Sequence, residues 1–235
     1  MNTRNTLTSK HLLLLSLLAS CASAPALAQQ TTLKVGISQI RPNSSSGEFS
    51  GPFTPSGISL DVHDKSTAFF SITQNIDENW GVELALGYPP THDVALTINN
   101  DSLPPSAQAL AGQVGARIRQ VAPTVFLNYT FLEKTSAWRP FIGLGLNYTR
   151  FDQTSSTAAG NQINGGPTSI SMEDSFGLAL QGGISYQINP EWSLSATLAT
   201  ARVKSKITTN TLGIERSTDI KFRPTVMTVA LGYSF

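Results

Sequence analysis

The chain has 235 residues, of which 13% are charged, and its formal net charge is +1. This length allows one large all-β domain or two small domains, and the balanced charge excludes the strong positive field that would favour nucleic acid as a partner.

Residues 1–28 predict a secretory signal peptide. Arg4 and Lys10 supply positive charge ahead of a short apolar run, and Ala-Leu-Ala at 26–28 suits cleavage before Gln29. The apolar run is shorter than the roughly 20 residues that a membrane-crossing helix needs. Residues 29–235 are then expected to form a single domain.

Cys21 leaves a second interpretation of this leader open. Residues 18–21 read Leu-Ala-Ser-Cys, which also fits the small-residue box that precedes a lipid-modified bacterial cysteine. Cleavage after residue 28 would instead remove Cys21 and leave a mature chain without cysteine or disulfide.

From residue 33 onward, apolar side chains alternate with polar or small ones, which is typical of strands with one apolar face. The segments lie near residues 33–41, 58–73, 80–88, 121–131, 141–148, 176–186, 192–199 and 221–235. Their connections are alternately long and short, as in barrels with tight periplasmic turns and long external loops. We therefore predict an all-β fold, an eight-stranded antiparallel up-and-down transmembrane β-barrel, in contact with lipid of the bacterial outer membrane.

Aromatic residues at the strand ends support a lipid-facing exterior. One rim would hold Trp80, Trp138, Trp192, Tyr129, Phe131, Tyr186, Tyr233 and Phe235, and the other Tyr88, Tyr148 and Phe176. At about 3.3 Å per residue and a tilt near 40°, the rims are roughly 20 to 25 Å apart, close to the apolar band of such barrels. A soluble lipocalin-like barrel, which would turn its apolar face inward, is the competing architecture.

Several motifs resemble the OmpW family of bacterial outer-membrane proteins. They are NWGVEL at 79–84, RPFIGLGLNYT at 139–149, DSFG at 174–177, QINPEW at 187–192, RP at 223–224 and GYSF at 232–235. The chain departs from the family pattern ahead of the fourth strand, at residues 107–124. The resemblance implies a narrow barrel that binds or passes small hydrophobic molecules, and it implies that Tyr233 and Phe235 form a terminal signal for the barrel-assembly machinery.

The predicted lumen carries both polar and apolar candidates. Lys34 and Glu83 would point inward, either as a polar gate or as an ion pair that satisfies two interior charges, and Gln181 lies on the same inner face. Three phenylalanines would also face inward and could either cradle an apolar ligand or plug the bore. They are Phe69, Phe126 and Phe141.

The long connection after residue 88 is unusually apolar for a surface loop. Residues 94–98 could continue a strand beyond the membrane, and residues 106–113 could form a helical turn. Val94, Leu96 and Ile98 are candidates to line an external hydrophobic entrance. A small cluster packed under the loop is the simpler explanation.

Catalytic signals are weak. His63-Asp64 and His92-Asp93 are the only histidine–aspartate neighbours, and adjacent residues on an extended chain point away from each other. No nucleophile elbow accompanies them, and no metal or cofactor site is predicted. We expect a non-enzymatic barrel that binds or conducts small hydrophobic molecules. A structural or adhesive barrel with a plugged lumen, whose external loops contact envelope or host partners, is the alternative.

Overall fold

The computed structural model describes residues 30–235. The predicted signal peptide, its cleavage site and Cys21 lie outside the described residues. Within residues 30–235 no helix is both long enough and apolar enough to cross a bilayer.

The described chain is built almost entirely from strands, with two short helices. The strands are β1 (Thr31–Arg41), β2 (Ser44–Ser46), β3 (Ile58–Val62), β4 (Lys65–Asn75), β5 (Trp80–Gly87), β6 (Thr91–Ile98), β7 (Val114–Val121), β8 (Thr124–Thr130), β9 (Trp138–Ser156), β10 (Thr168–Met172), β11 (Ser175–Gln187), β12 (Trp192–Ala201), β13 (Val203–Thr211), β14 (Ile214–Phe222) and β15 (Thr225–Ser234). The helices are α1 (Pro105–Gln108) and α2 (Ala158–Asn164).

Eight of these strands close into an antiparallel barrel, which confirms the predicted fold. Around the wall the order is β1, β4, β5, β8, β9, β11, β12 and β15, and β15 pairs back onto β1. The closing register sets Leu33 opposite Tyr233 and Arg41 opposite Thr225. Closure removes every free edge, so the backbone groups of the wall are satisfied without water.

The outer face of the wall is apolar and the inner face is small or polar. On β9, Leu144 is 57% exposed whereas Asn147, on the other face, is 4% exposed. Paired aromatic rings line the rim beside the short turns, as predicted. Their centroid distances are 5.0 Å for Trp80–Tyr129, 4.6 Å for Trp138–Tyr186 and 5.0 Å for Trp192–Tyr233.

Glycines on the inner face of β9 make room for large side chains of β8. A Cβ on Gly143 would lie 2.1 Å from Asn128 Oδ1, and one on Gly145 would lie 2.5 Å from the Phe126 ring. In this strand glycine therefore alternates with leucine and isoleucine for a separate reason on each face. Large residues contact lipid, and the missing side chains leave space in the lumen.

The long external connections are not irregular loops but two further sheets. β9 continues beyond the barrel and pairs with β7, which pairs with β6, which pairs with β3. A separate sheet has the order β10, β13, β14, β2. The two sheets enclose an apolar core of Val62, Val94, Ala116, Ile118, Ile207 and Ile220. We call these sheets and their core the external extension.

Two predicted strands are divided in the structure. The segment at 58–73 contains β3, in the external extension, and most of β4, in the barrel. The segment at 121–131 is broken between β7 and β8, where Pro123 has no N–H to donate to a ladder. In the long connection after residue 88, both suggested elements form, as strand β6 and the short helix α1.

Candidate functional site

Glu83 on β5 occupies the middle of the lumen and is 2% exposed. Its Oε1 accepts hydrogen bonds from Lys34 Nζ at 3.0 Å and Ser71 Oγ at 2.7 Å. Its Oε2 accepts from Asn128 Nδ2 at 2.8 Å and Gln181 Nε2 at 2.9 Å. Both carboxylate oxygens are thus fully engaged, as a buried charge requires. We call these five residues the polar plug.

The polar plug ties together five of the eight barrel strands, because its members come from β1, β4, β5, β8 and β11. Sequence reasoning placed Lys34, Glu83 and Gln181 in the lumen, and the structure brings these three together. Sequence reasoning did not single out Ser71 and Asn128. Asn128 was recognisable as an inward polar residue, but nothing in the sequence indicated its contact with Glu83.

The candidate phenylalanines lie around the polar plug. Phe126 and Phe141 are buried, and the Lys34 ammonium lies 5.6 Å from the centre of the Phe141 ring, a cation–π distance. Phe69 is half-buried and lines the lumen on the external side. All three point inward, and Phe126 and Phe141 fill space beside the plug.

The polar plug divides the lumen into two cavities. The external cavity, of about 140 Å³, is lined by Phe69, Phe126, Thr197 and Val226 among others. The periplasmic cavity, of about 590 Å³, is lined mainly by polar groups such as Asn75. Lys34 borders both. The bore is therefore closed at mid-height by charged and hydrogen-bonded side chains.

A third cavity, which is apolar, lies within the external extension. It is lined from one sheet by Val94, Leu96 and Ile118 and from the other by Ile170 and Ile207. The sequence predicted Val94 and Leu96 as entrance residues, and both line this cavity. Ile98 does not line it, but packs against Leu96 in an adjoining cluster. We call this space the external apolar cavity.

His92 on β6 is buried on the same face as Val94. Its Nδ1–H donates to the His63 carbonyl at 3.1 Å, and its Nε2 has no hydrogen-bond partner within residues 30–235. Burial lowers the pKa of His92 below its usual 6.5, and Lys65 acts in the same direction. Burial therefore favours the neutral form of the ring.

The two histidine–aspartate neighbours do not form a catalytic arrangement. Asp64 pairs with Arg41 at 3.4 Å, and Asp93 pairs with Arg117 at 3.1 Å and Lys65 at 3.7 Å. Across residues 30–235, no three potential metal-ligating side chains of the His, Cys, Asp or Glu type come together.

The terminal aromatics point outward at the periplasmic rim. Tyr233 contacts Trp192, and its ring centroid lies 6.3 Å from that of Phe235. The Phe235 backbone bonds to Thr31 in both directions, at 3.0 and 3.1 Å. This placement is accessible from the periplasm, and the role of these residues as an assembly signal stays a prediction.

Comparison with known proteins agrees with this architecture. The profile of the OmpW family matches residues 29–235. The chain belongs to the OmpW family. This membership, together with the barrel fold, places it in the outer membrane of Gram-negative bacteria.

Individual relatives match this OmpW-family protein over nearly its whole length. Outer membrane protein W of Vibrio cholerae is 29% identical, over 94% of this chain and 97% of its own length. The crystal structure of the outer membrane protein OprG from Pseudomonas aeruginosa superposes with a TM-score of 0.76 at 25% identity, covering 88% of this chain and 96% of that one. The dibenzothiophene metabolism operon protein PahQ of Pseudomonas aeruginosa is 23% identical, over 92% of this chain and 94% of its own length.

Proposed function

We propose that this protein takes up small hydrophobic molecules at the cell surface and releases them sideways, through the barrel wall, into the outer membrane. The observation that carries the proposal is the combination of an apolar cavity outside the membrane with a polar plug inside it. The free energy of an apolar solute falls when it leaves water for the external apolar cavity. Passing the polar plug would instead raise it, because the solute would have to break hydrogen bonds of a buried carboxylate.

A break in the wall supports sideways release. The ladder between β5 and β8 ends at Ala85 and Thr124, and the ladder between β6 and β7 begins at Thr91 and Arg119. Pro89, Pro90 and Pro123 stand in the gap, where they cannot donate to a ladder. Leu86, Pro90 and Ala122 from this gap also line the external cavity of the lumen. One backbone hydrogen bond crosses the gap, from the Gln120 N–H to the Pro90 carbonyl at 3.0 Å. A solute that reaches that cavity therefore meets a part of the wall with few backbone bonds.

The name of one relative gives independent support for the class of solute. PahQ is named for an operon of dibenzothiophene metabolism, and dibenzothiophene is a small apolar aromatic. A molecule of that kind has no hydrogen-bonding groups to offer the polar plug, but it suits a cavity lined by Val94, Leu96 and Ile118.

The proposal is tested by uptake of a hydrophobic fluorescent probe into proteoliposomes. Leu96, which is 5% exposed and lines the external apolar cavity, is replaced by Gln. We expect the protein-dependent rate to fall at least five-fold, because the amide is left without partners in an apolar space. Leu212→Gln is the matched control, since Leu212 is 78% exposed at an external turn, and its rate should equal that of the wild type.

The alternative function is that of a structural or adhesive barrel. The polar plug favours this alternative, because a barrel that transports no solute can have a closed bore. In that case proteoliposomes would take up the probe no faster than empty liposomes, and Leu96→Gln would have no effect on the rate.

A further inference from the structure

Four cationic side chains stand together on the outward face of the β13–β14 hairpin, near its junction with the barrel. They are Arg202, Lys204, Lys221 and Arg223, and all four are exposed. The opposite face of the hairpin carries the buried residues Ile207 and Ile220, so these cations face away from the protein. We call them the outer basic patch.

The outer basic patch is electrostatically uncompensated. Lys204 lies directly opposite Lys221 in the β13–β14 register, and like charges in that position destabilise a strand pair. Within residues 30–235 none of the four side chains forms an ion pair. One step further along the same face the register sets Lys206 opposite Asp219. Opposite charges therefore face each other further from the membrane, whereas nearer the membrane the hairpin carries cations without acidic partners.

The depth of the patch matches the headgroup layer of the outer leaflet. Leu198 on β12 and Met227 on β15 face each other as the last large apolar residues of their outward faces. Arg202 and Arg223 follow four residues further from the membrane, and the two lysines six residues further. At about 3.3 Å per residue and a tilt near 40°, the cations stand about 10 and 15 Å beyond Leu198 and Met227.

Apolar surface adjoins the cations. The Lys204 N–H donates to Ser175 Oγ at 3.0 Å, and the next residue, Phe176, is 70% exposed on the outward face. Leu198, below the patch, is 55% exposed. A ligand on this surface can thus contact apolar side chains and cations at once.

We propose that the outer basic patch binds the phosphate groups of an acylated, phosphorylated glycolipid of the outer leaflet. Lysine and arginine form strong, charge-assisted hydrogen bonds with phosphate, and bound phosphate relieves the repulsion between Lys204 and Lys221. Two phosphates carried on a sugar backbone can engage both rows of the patch while the acyl chains lie on Leu198 and Met227. A phospholipid offers only one phosphate, which lies close to the acyl boundary.

The experiment is a binding titration of the whole mature chain in zwitterionic detergent, followed by native mass spectrometry. The probes are bisphosphorylated lipid A, phosphatidylglycerol and inorganic phosphate. We expect the wild type to bind lipid A at least ten-fold more tightly than either of the other probes. Lys204→Gln/Lys221→Gln should weaken lipid A binding at least ten-fold, and each single variant at least three-fold.

Lys65→Gln/Lys134→Gln is the matched control, because it removes the same charge from one external and one periplasmic position outside the patch. It should bind lipid A as the wild type does. Folding is checked by the heat-dependent electrophoretic shift of a closed barrel, and the single variants decide if the double variant does not fold. Unchanged affinity in the patch variants, an equal loss in the control, or equal binding of phosphatidylglycerol or inorganic phosphate would overturn the proposal.

Discussion

At the level of single residues, the lumen is organised around one carboxylate. Glu83 accepts four hydrogen bonds, whereas Lys34 donates its one side-chain bond to Glu83. The two members of the ion pair therefore differ in what their removal leaves behind. Without Lys34, the carboxylate keeps three donors. Without Glu83, an ammonium, a hydroxyl and two amides lose their shared acceptor.

We predict that Glu83→Ala destabilises the barrel more than Lys34→Ala does. Removing the acceptor of a buried pair should cost about 3 kcal/mol or more, and removing Lys34 should cost clearly less. The measurement is the free energy of unfolding in urea, with the barrel in detergent micelles or lipid vesicles. Arg41→Ala, which breaks an exposed ion pair with Asp64, should change stability by less than about 1 kcal/mol. Equal losses for Glu83→Ala and Lys34→Ala would contradict this assignment.

His92 gives the external extension a dependence on pH. Because burial lowers the pKa of His92 in the fold, the locally unfolded strand binds a proton more readily than the folded one does. Stability is then complete above the usual value of 6.5 and is lost as the pH falls below it. The protonated ring would carry an N–H at Nε2 with no acceptor.

We expect the hydrogen-exchange protection factors of residues 91–98 to fall between pH 7.5 and pH 5.5. His92→Asn, whose amide can still donate to the His63 carbonyl, should abolish that difference. His63→Asn is the control and should retain it, since His63 is exposed. Protection that does not change with pH in the wild type would rule out a neutral, buried His92.

At the level of elements, residue alternation was sufficient to predict the barrel strands and their faces. On β9, the outward Leu144 and the inward Asn147 lie as the sequence indicated, because a strand permits only two directions for its side chains. The strand limits beyond the membrane were not predictable in the same way. β9 continues to Ser156, but its last residues are mostly polar on both faces. The sequence therefore shows no apolar–polar alternation there that would mark the strand.

The lipid-facing assignment predicts a specific cost for a charge. Leu144→Arg should destabilise the barrel by about 2 to 4 kcal/mol, since an arginine near the bilayer midplane is costly to bury. Leu212→Arg, at a solvent-exposed external turn, should cost less than about 0.5 kcal/mol. The measurement is unfolding in lipid vesicles. A cost for Leu144→Arg no larger than that for Leu212→Arg would mean that this face does not meet lipid.

At the level of the whole molecule, the number of strands, the closure and the orientation followed from alternation together with the order of long and short connections. The external extension did not follow, because its pairings join distant parts of the chain. β2 pairs with β14, setting Ser46 opposite Ile220, and a three-residue strand of serines carries no pattern of its own. The polar plug was predictable only in part, since the contacts of Glu83 with Lys34 and with Gln181 join strands that are not neighbours in the wall.

The central claim is that hydrophobic solutes leave through the wall while the bore stays closed. Lys34→Ala/Glu83→Ala removes the centre of the polar plug and both of its charges, and Arg41→Ala/Asp64→Ala is a control that removes an exposed ion pair. Uptake of a hydrophobic probe and small-ion conductance are measured on the same preparations of protein in lipid. We predict that opening the plug raises conductance at least ten-fold and leaves probe uptake at the wild-type rate, with both unchanged in the control. An increase in probe uptake that parallels the increase in conductance would place the solute path along the bore and contradict the account.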